Sequence, residues 1–138
     1  ADKITGLDIA VKGAAQSTAQ YDGAHQLDLA KQAKARCAAE TPALVEAALV
    51  ACQQVEGKKL LDDWEMTYQL VKAALYGAKT AIGAAQLGID VAETLKQGQS
   101  VIATILAEVR QPLKDLVSTL TAAGVPVPTA ITAVVGGL

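Results

Sequence analysis

The sequence contains no phenylalanine, and its rings are limited to Trp64, Tyr21, Tyr68 and Tyr76. So few aromatics leave no platform on which bases could stack. Nor is there a basic field, because 12 Lys and Arg are scattered among 14 Asp and Glu for a net charge of −2. Nucleic acid is therefore not an expected partner. Histidine is equally scarce. His25 stands alone, whereas the di-iron carboxylate bundles need Glu-x-x-His pairs facing one another.

Other catalytic signatures are missing too. The sequence has no nucleophile motif and no CxxC pair, and the glycines at 77, 83 and 88 follow no strand that would make a phosphate loop of them. No catalytic residue, metal ligand or cofactor is expected, and the chain reads as non-enzymatic. The clusters that tempt otherwise have plainer readings. Asp22, His25 and Asp28 share a spacing of three, but a metal needs further ligands in fixed geometry. His25 reads as a solvated side chain with acidic neighbours. Asp62, Asp63 and Glu65 follow Lys58 and Lys59, and Lys58 with Asp62 fits an ordinary i,i+4 helix pair.

What the chain has in abundance is alanine within a 51% hydrophobic composition. A core of Ala, Leu, Ile and Val with few rings points to close-packed helices, and 138 residues suit a single domain. The fold class expected is all-α: an elongated bundle or long helical hairpin. Residues 1–124 would form the bundle and 125–138 an extended, uncharged arm.

The first segment, Ile4 to about Ala38, carries Ile4, Leu7, Val11, Ala14, Thr18 and Tyr21 at helical spacing. The pattern then slips near Gly23 and resumes with Leu27, Ala30, Ala33 and Cys37. "ETP" at 40–42 predicts a helix stop, with Thr41 as the next N-cap and Pro42 at the first helical position. A second helix would follow with Val45, Ala48, Cys52 and Val55 on one face, and Gly57 would either end it or weaken it from within.

The strongest signal is a heptad run over about 58–97. Leu61, Tyr68, Leu75, Ile82 and Ile89 recur seven apart, as do Trp64, Val71, Ala78, Ala85 and Ala92. Ala74, Ala78, Ala81, Ala85, Gly88 and Ala92 form a line of small residues. Each glycine in such a helix costs ~1 kcal/mol against alanine, a cost that close approach of a neighbouring backbone would offset. Together these positions are the expected helix-packing or oligomer interface. Trp64 and Tyr68 read as core, while Tyr76 falls in the polar line as a contact for a partner helix.

Beyond it, "KQGQS" at 96–100 predicts a helix end with Ser100 as the following N-cap. A fourth helix would bury Ile102, Ile105, Val109, Leu113, Leu116 and Leu120, with a kink near Arg110 caused by Pro112. From Leu116 to Leu138 there is no charge, a length that suits a membrane span, but Gly124, Pro126 and Pro128 interrupt it.

Cys37 and Cys52 are the only cysteines. If helices flank the turn at Pro42 directly, their axial offset is roughly 10 Å at ~1.5 Å per residue, beyond the ~7 Å reach of a disulfide. A bridge would then require the first helix to end near Lys31. The opening "ADKITG" has no basic start followed by an apolar run, so no signal peptide is expected. Ala1 fits both a removed initiator Met and a cleavage after a small residue. Virion, periplasmic or secreted, and cytoplasmic settings are all allowed.

The function these features favour is a structural subunit that self-associates through helix packing into a ring, tube or filament, in a virus particle or cell-envelope assembly. Its partners would be copies of itself or other helical subunits. One alternative is a membrane-active, pore-forming, lysis or genome-delivery protein that meets the bilayer through residues 116–138. Another is a helical module that binds an apolar ligand or surface.

Overall fold

The computed structural model describes residues 2–137 and is all-α. Five helices succeed one another among the described residues: α1 (Asp2–Ala38), α2 (Glu46–Thr94), α3 (Gln99–Glu108), α4 (Arg110–Ala122) and α5 (Thr129–Gly136). The chain divides into two compact units. One holds the residues up to Thr18 and those from Leu70 onward; the other is Ala19–Gln69.

In the first unit the expected α1 seam is buried, with Ile4, Leu7, Val11, Ala14 and Thr18 almost wholly covered. So is the α2 seam, through Val71, Ala78, Ile82, Ala85, Ile89 and Ala92. Ile4 and Ile89 line one small cleft, which places the two seams against each other. Val109, Leu113, Leu116 and Leu120 complete the core, while Ile102 and Ile105 are half-buried. The kink expected from Pro112 takes the form of a break at Val109, which separates α3 from α4. Pro112 lacks the N–H that an uninterrupted helix would bond back to Glu108.

The C-terminal ends of α2 and α4 close in the same way. Gln97 N–H bonds Ala92 C=O and Lys96 N–H bonds Glu93 C=O, with Lys96 at φ 55°. Val125 N–H bonds Leu120 C=O and Gly124 N–H bonds Thr121 C=O, with Gly124 at φ 76°. These are Schellman motifs, whose turning residue must be left-handed. After α2 that residue is Lys96 rather than the expected Gly98, and Gly98 instead caps α3, displacing Ser100 from that role.

The tail differs from the expected extended arm. Residues 125–128 are extended, as Pro126 and Pro128 require, but 129–136 form α5. Val125 and Ile131 are buried, and Val134 lines a groove with Leu7. Leu138 lies outside the described residues.

In the second unit α1 and α2 run antiparallel. α2 begins at Glu46, not Pro42, and passes straight through Gly57, whose absent Cβ would lie 3.8 Å from that of Ala33. The connection 39–45 includes a cis Thr41–Pro42 bond. Cys37 and Cys52 are disulfide-bonded with Cα atoms 5.9 Å apart. The offset argument fails because the loop climbs past the end of α1 before α2 turns back. Six residues at ~1.5 Å each put Glu46 about 9 Å beyond Cys52 along the axis, so the bridge forms although α1 runs on to Ala38.

Candidate functional site

Two features of the described residues invite a functional reading: an aromatic cluster in the second unit and a bare helix face in the first.

The aromatic cluster centres on Trp64, buried on the α2 seam. Tyr68, one turn on, stacks against it with ring centroids 5.8 Å apart. From α1, His25 meets the indole edge-on at 4.4 Å and Tyr21 lies at 5.8 Å. The indole Nε1–H donates to Asp22 Oδ1 at 2.7 Å, and Gln26 Nε2 donates to the same oxygen at 3.0 Å. His25 is thus half-buried packing, not a solvated side chain, and Asp28 is exposed. The Tyr68 hydroxyl is pushed above the usual tyrosine range, first by burial and then by the carboxylates of Asp22 and Glu65. Every ring here is spent on another ring, and no group of three metal-ligating side chains exists among the described residues. Lys58 and Asp62 pair as expected, and the Lys58 pKa is raised by that hydrogen bond and then by the Asp62 charge.

The polar half of the cluster was missed in the sequence because Asp22 and His25 occupy seam positions. The inward set steps Thr18, Tyr21 and Asp22, His25, Leu29, Ala33, Cys37. Leu27, expected inside, is 58% exposed, and Ala30 is exposed as well. Polar residues on a core face look like a slip of register when only apolar spacing is followed.

The positions expected to pack helices sit as follows. Ala78, Ala85, Ala92, Ile82 and Ile89 are buried within the chain, and Ala74, Ala81, Gly88, Leu75, Leu61 and Tyr68 are half-buried. Part of the small-residue line admits α3. A Cβ on Gly88 would come 3.3 Å from Ile105 Cδ1, and a groove of about 290 Å³ runs between Ala81, Ala84, Ala85 and Gly88 on α2 and Ile105, Glu108 and Val109.

A bare face runs along the back of α2 and meets that groove at Ala84. With Leu61 lettered a, the buried seam occupies a and d, and the c and f positions form the back of the helix, normally its solvated side. From Leu70 to Val91, those positions are Leu70, Ala73, Gly77, Thr80, Ala84, Leu87 and Val91. All seven are exposed and none is charged. Leu70 and Leu87 are each 66% exposed, and Tyr76 beside them is 72% exposed. Sequence periodicity drew attention to the a/d seam, and this second line was hidden because alanine, glycine and threonine read as neutral filler.

The chain matches no protein family, no curated protein and no solved structure.

Proposed function

We propose that this chain is a non-catalytic helical subunit that self-associates, using the outer face of α2. The observation that carries this reading is the uncharged Leu70–Val91 line with its two exposed leucines and exposed Tyr76. Single exposed apolar residues are ordinary, but a contiguous row of them on a helix already buried on its opposite face marks an interaction surface. A ring, tube or filament, in a virus particle or a cell-envelope assembly, is the kind of structure such a subunit would serve.

The alternatives have less support. The membrane-active reading rests on the uncharged segment 116–138, where Leu116, Leu120, Val125 and Ile131 are buried against the chain itself. No helix among the described residues is long and apolar enough to cross a membrane. The ligand-binding reading looked to Trp64 and Tyr68, whose rings are stacked on each other and flanked by His25 and Tyr21.

The test is the solution mass by light scattering from about 10 to 500 μM, a range spanning weak interfaces. The wild type should gain mass with concentration, and Leu87→Glu should remain at the 14.1 kDa of one chain. A wild type that stays monomeric throughout removes this reading.

A further inference from the structure

Among the helices of its unit, α3 is the one held least firmly. None of its ten residues is fully buried, whereas the next helix, α4, buries Leu113, Leu116 and Leu120. Ile102, Ile105 and Leu106 are half-buried, and the other seven side chains are exposed.

Its local support is thin as well. Val101, Ile102, Thr104 and Ile105 are β-branched, a type that loses side-chain freedom in a helix. Gly98 caps the N-terminus without a side-chain hydrogen bond, and no acidic residue stands in the first turn. At the other end Glu108 adds a negative charge to the negative pole of the helix dipole, with no basic residue in the last turn to oppose it. Ten residues are also fewer than the ~12–15 at which an isolated helix becomes even marginal in water. Away from α2, α3 would not persist as a helix, so lifting it and melting it are one event.

The seat of α3 on α2 is apolar and narrow. Ile105 Cδ1 rests 3.3 Å from where a Gly88 Cβ would stand, and beside that contact runs the groove along Ala81, Ala84, Ala85 and Gly88. Thr104 spends its hydroxyl inside α3, on Ser100 C=O. The neighbours are closed off on their own account. The turn at Lys96 finishes α2 before α3 begins, and α4 starts from its own bond, Leu113 N–H to Val109 C=O, with Val109 buried.

We infer that α3 is a lid on α2, which lifts and melts as a unit while α1, α2 and α4 stay folded. Lowered, it covers Gly88 with Ile105. Lifted, it uncovers the groove residues, which meet the uncharged outer face of α2 at Ala84. This goes beyond the self-association reading and stands without it.

The test is native-state hydrogen exchange on the full chain with the Cys37–Cys52 bridge intact. The amides of Thr104, Ile105, Leu106 and Ala107 should be about 100-fold less protected than those of Leu116 and Leu120. Their exchange should barely respond to urea below about 1 M, because a small opening exposes little surface, while the α4 amides follow a steeper slope. Ile105→Ala trims the side chain seated on Gly88. It should speed exchange in α3 about tenfold and leave Leu116 and Leu120 within about twofold of wild type. Equal protection and equal urea slopes in α3 and α4 would overturn the inference. So would an Ile105→Ala variant in which α4 loses protection by the same factor as α3, since α3 would then belong to the cooperative core. Neither result bears on self-association, which light scattering decides separately.

Discussion

Trp64 and Asp22, 42 positions apart in sequence, are joined by a 2.7 Å hydrogen bond from the indole Nε1–H to the carboxylate. The tryptophan is 6% exposed, so its N–H has lost most of its access to water, and the charged acceptor replaces that water. A hydrogen bond to a charged group contributes about 1.5–3 kcal/mol. Asp22→Ala should lower stability by about that much in denaturant titration, and Asp22→Asn should recover part of it. An unchanged midpoint for Asp22→Ala would mean that the bond does not hold the two helices.

The Cys37–Cys52 bridge closes a loop of 15 residues. A loop of that size restricts the unfolded chain by about 3 kcal/mol. Cys37→Ser combined with Cys52→Ser should therefore lower the denaturation free energy by about 2–4 kcal/mol while leaving far-UV helicity at 25 °C within a few per cent. Loss of helicity without denaturant would make the bridge a condition of folding, not a supplement to it.

Thr18 Oγ1 is buried with no hydrogen-bond partner. An unpaired buried hydroxyl costs about 1–3 kcal/mol, and valine has nearly the same shape without it. Thr18→Val should raise stability by about 1 kcal/mol, or a Tm increase of roughly 3–5 °C. A lower Tm would indicate that an ordered water completes the hydroxyl.

Lys96 holds the left-handed position that ends α2. A side chain there costs roughly 1 kcal/mol relative to glycine, less what glycine loses through its freer unfolded state. Lys96→Gly should stabilise by about 0.5 kcal/mol, whereas Gly124→Ala, at the equivalent turn of α4, should destabilise by about 1 kcal/mol. Both follow from paired thermal melts. The same sign for both would rule out the turn as the cause.

Tyr68 is held neutral in the folded chain, with its pKa above the ordinary 10.0. A group whose folded pKa is raised contributes stability that is fully present below the unfolded pKa and is lost as pH climbs through the folded one. Stability should therefore be flat with respect to this group up to about pH 9 and fall from pH 10 upward. Tyr68→Phe should flatten that fall. An equally steep decline in the variant would assign it to other groups.

How much of this was legible depends on what each residue contributes to a pattern. The heptad line from Leu61 to Ile89 was readable because strict seven-residue spacing has few explanations other than a packed helix. The helix break at Pro112 was readable for a local covalent reason. The start of α2 was not, because Glu40–Pro42 carries good turn chemistry and nothing local says that the chain climbs to Glu46 before turning. The same turn hides the disulfide, since a helix starting at Pro42 would put Cys52 out of reach of Cys37, whereas one starting at Glu46 does not. Val125 and Ile131 were assigned to an arm because an uncharged stretch looks alike whether it leaves the core or returns to it. His25 and Asp22 were hidden by their own polarity, and only the Trp64 ring across from them explains their place on a buried face.

The chromophores are unevenly shared. Trp64, Tyr21 and Tyr68 all belong to the Ala19–Gln69 unit, and the other unit has Tyr76 as its only ring. Fluorescence and near-ultraviolet dichroism therefore watch little more than a third of the polypeptide, whereas backbone dichroism watches all of it. A melting curve followed by emission alone would describe the smaller unit while most of the protein remained unobserved. Only coincidence of the two signals can justify assigning one free energy of unfolding to the whole chain.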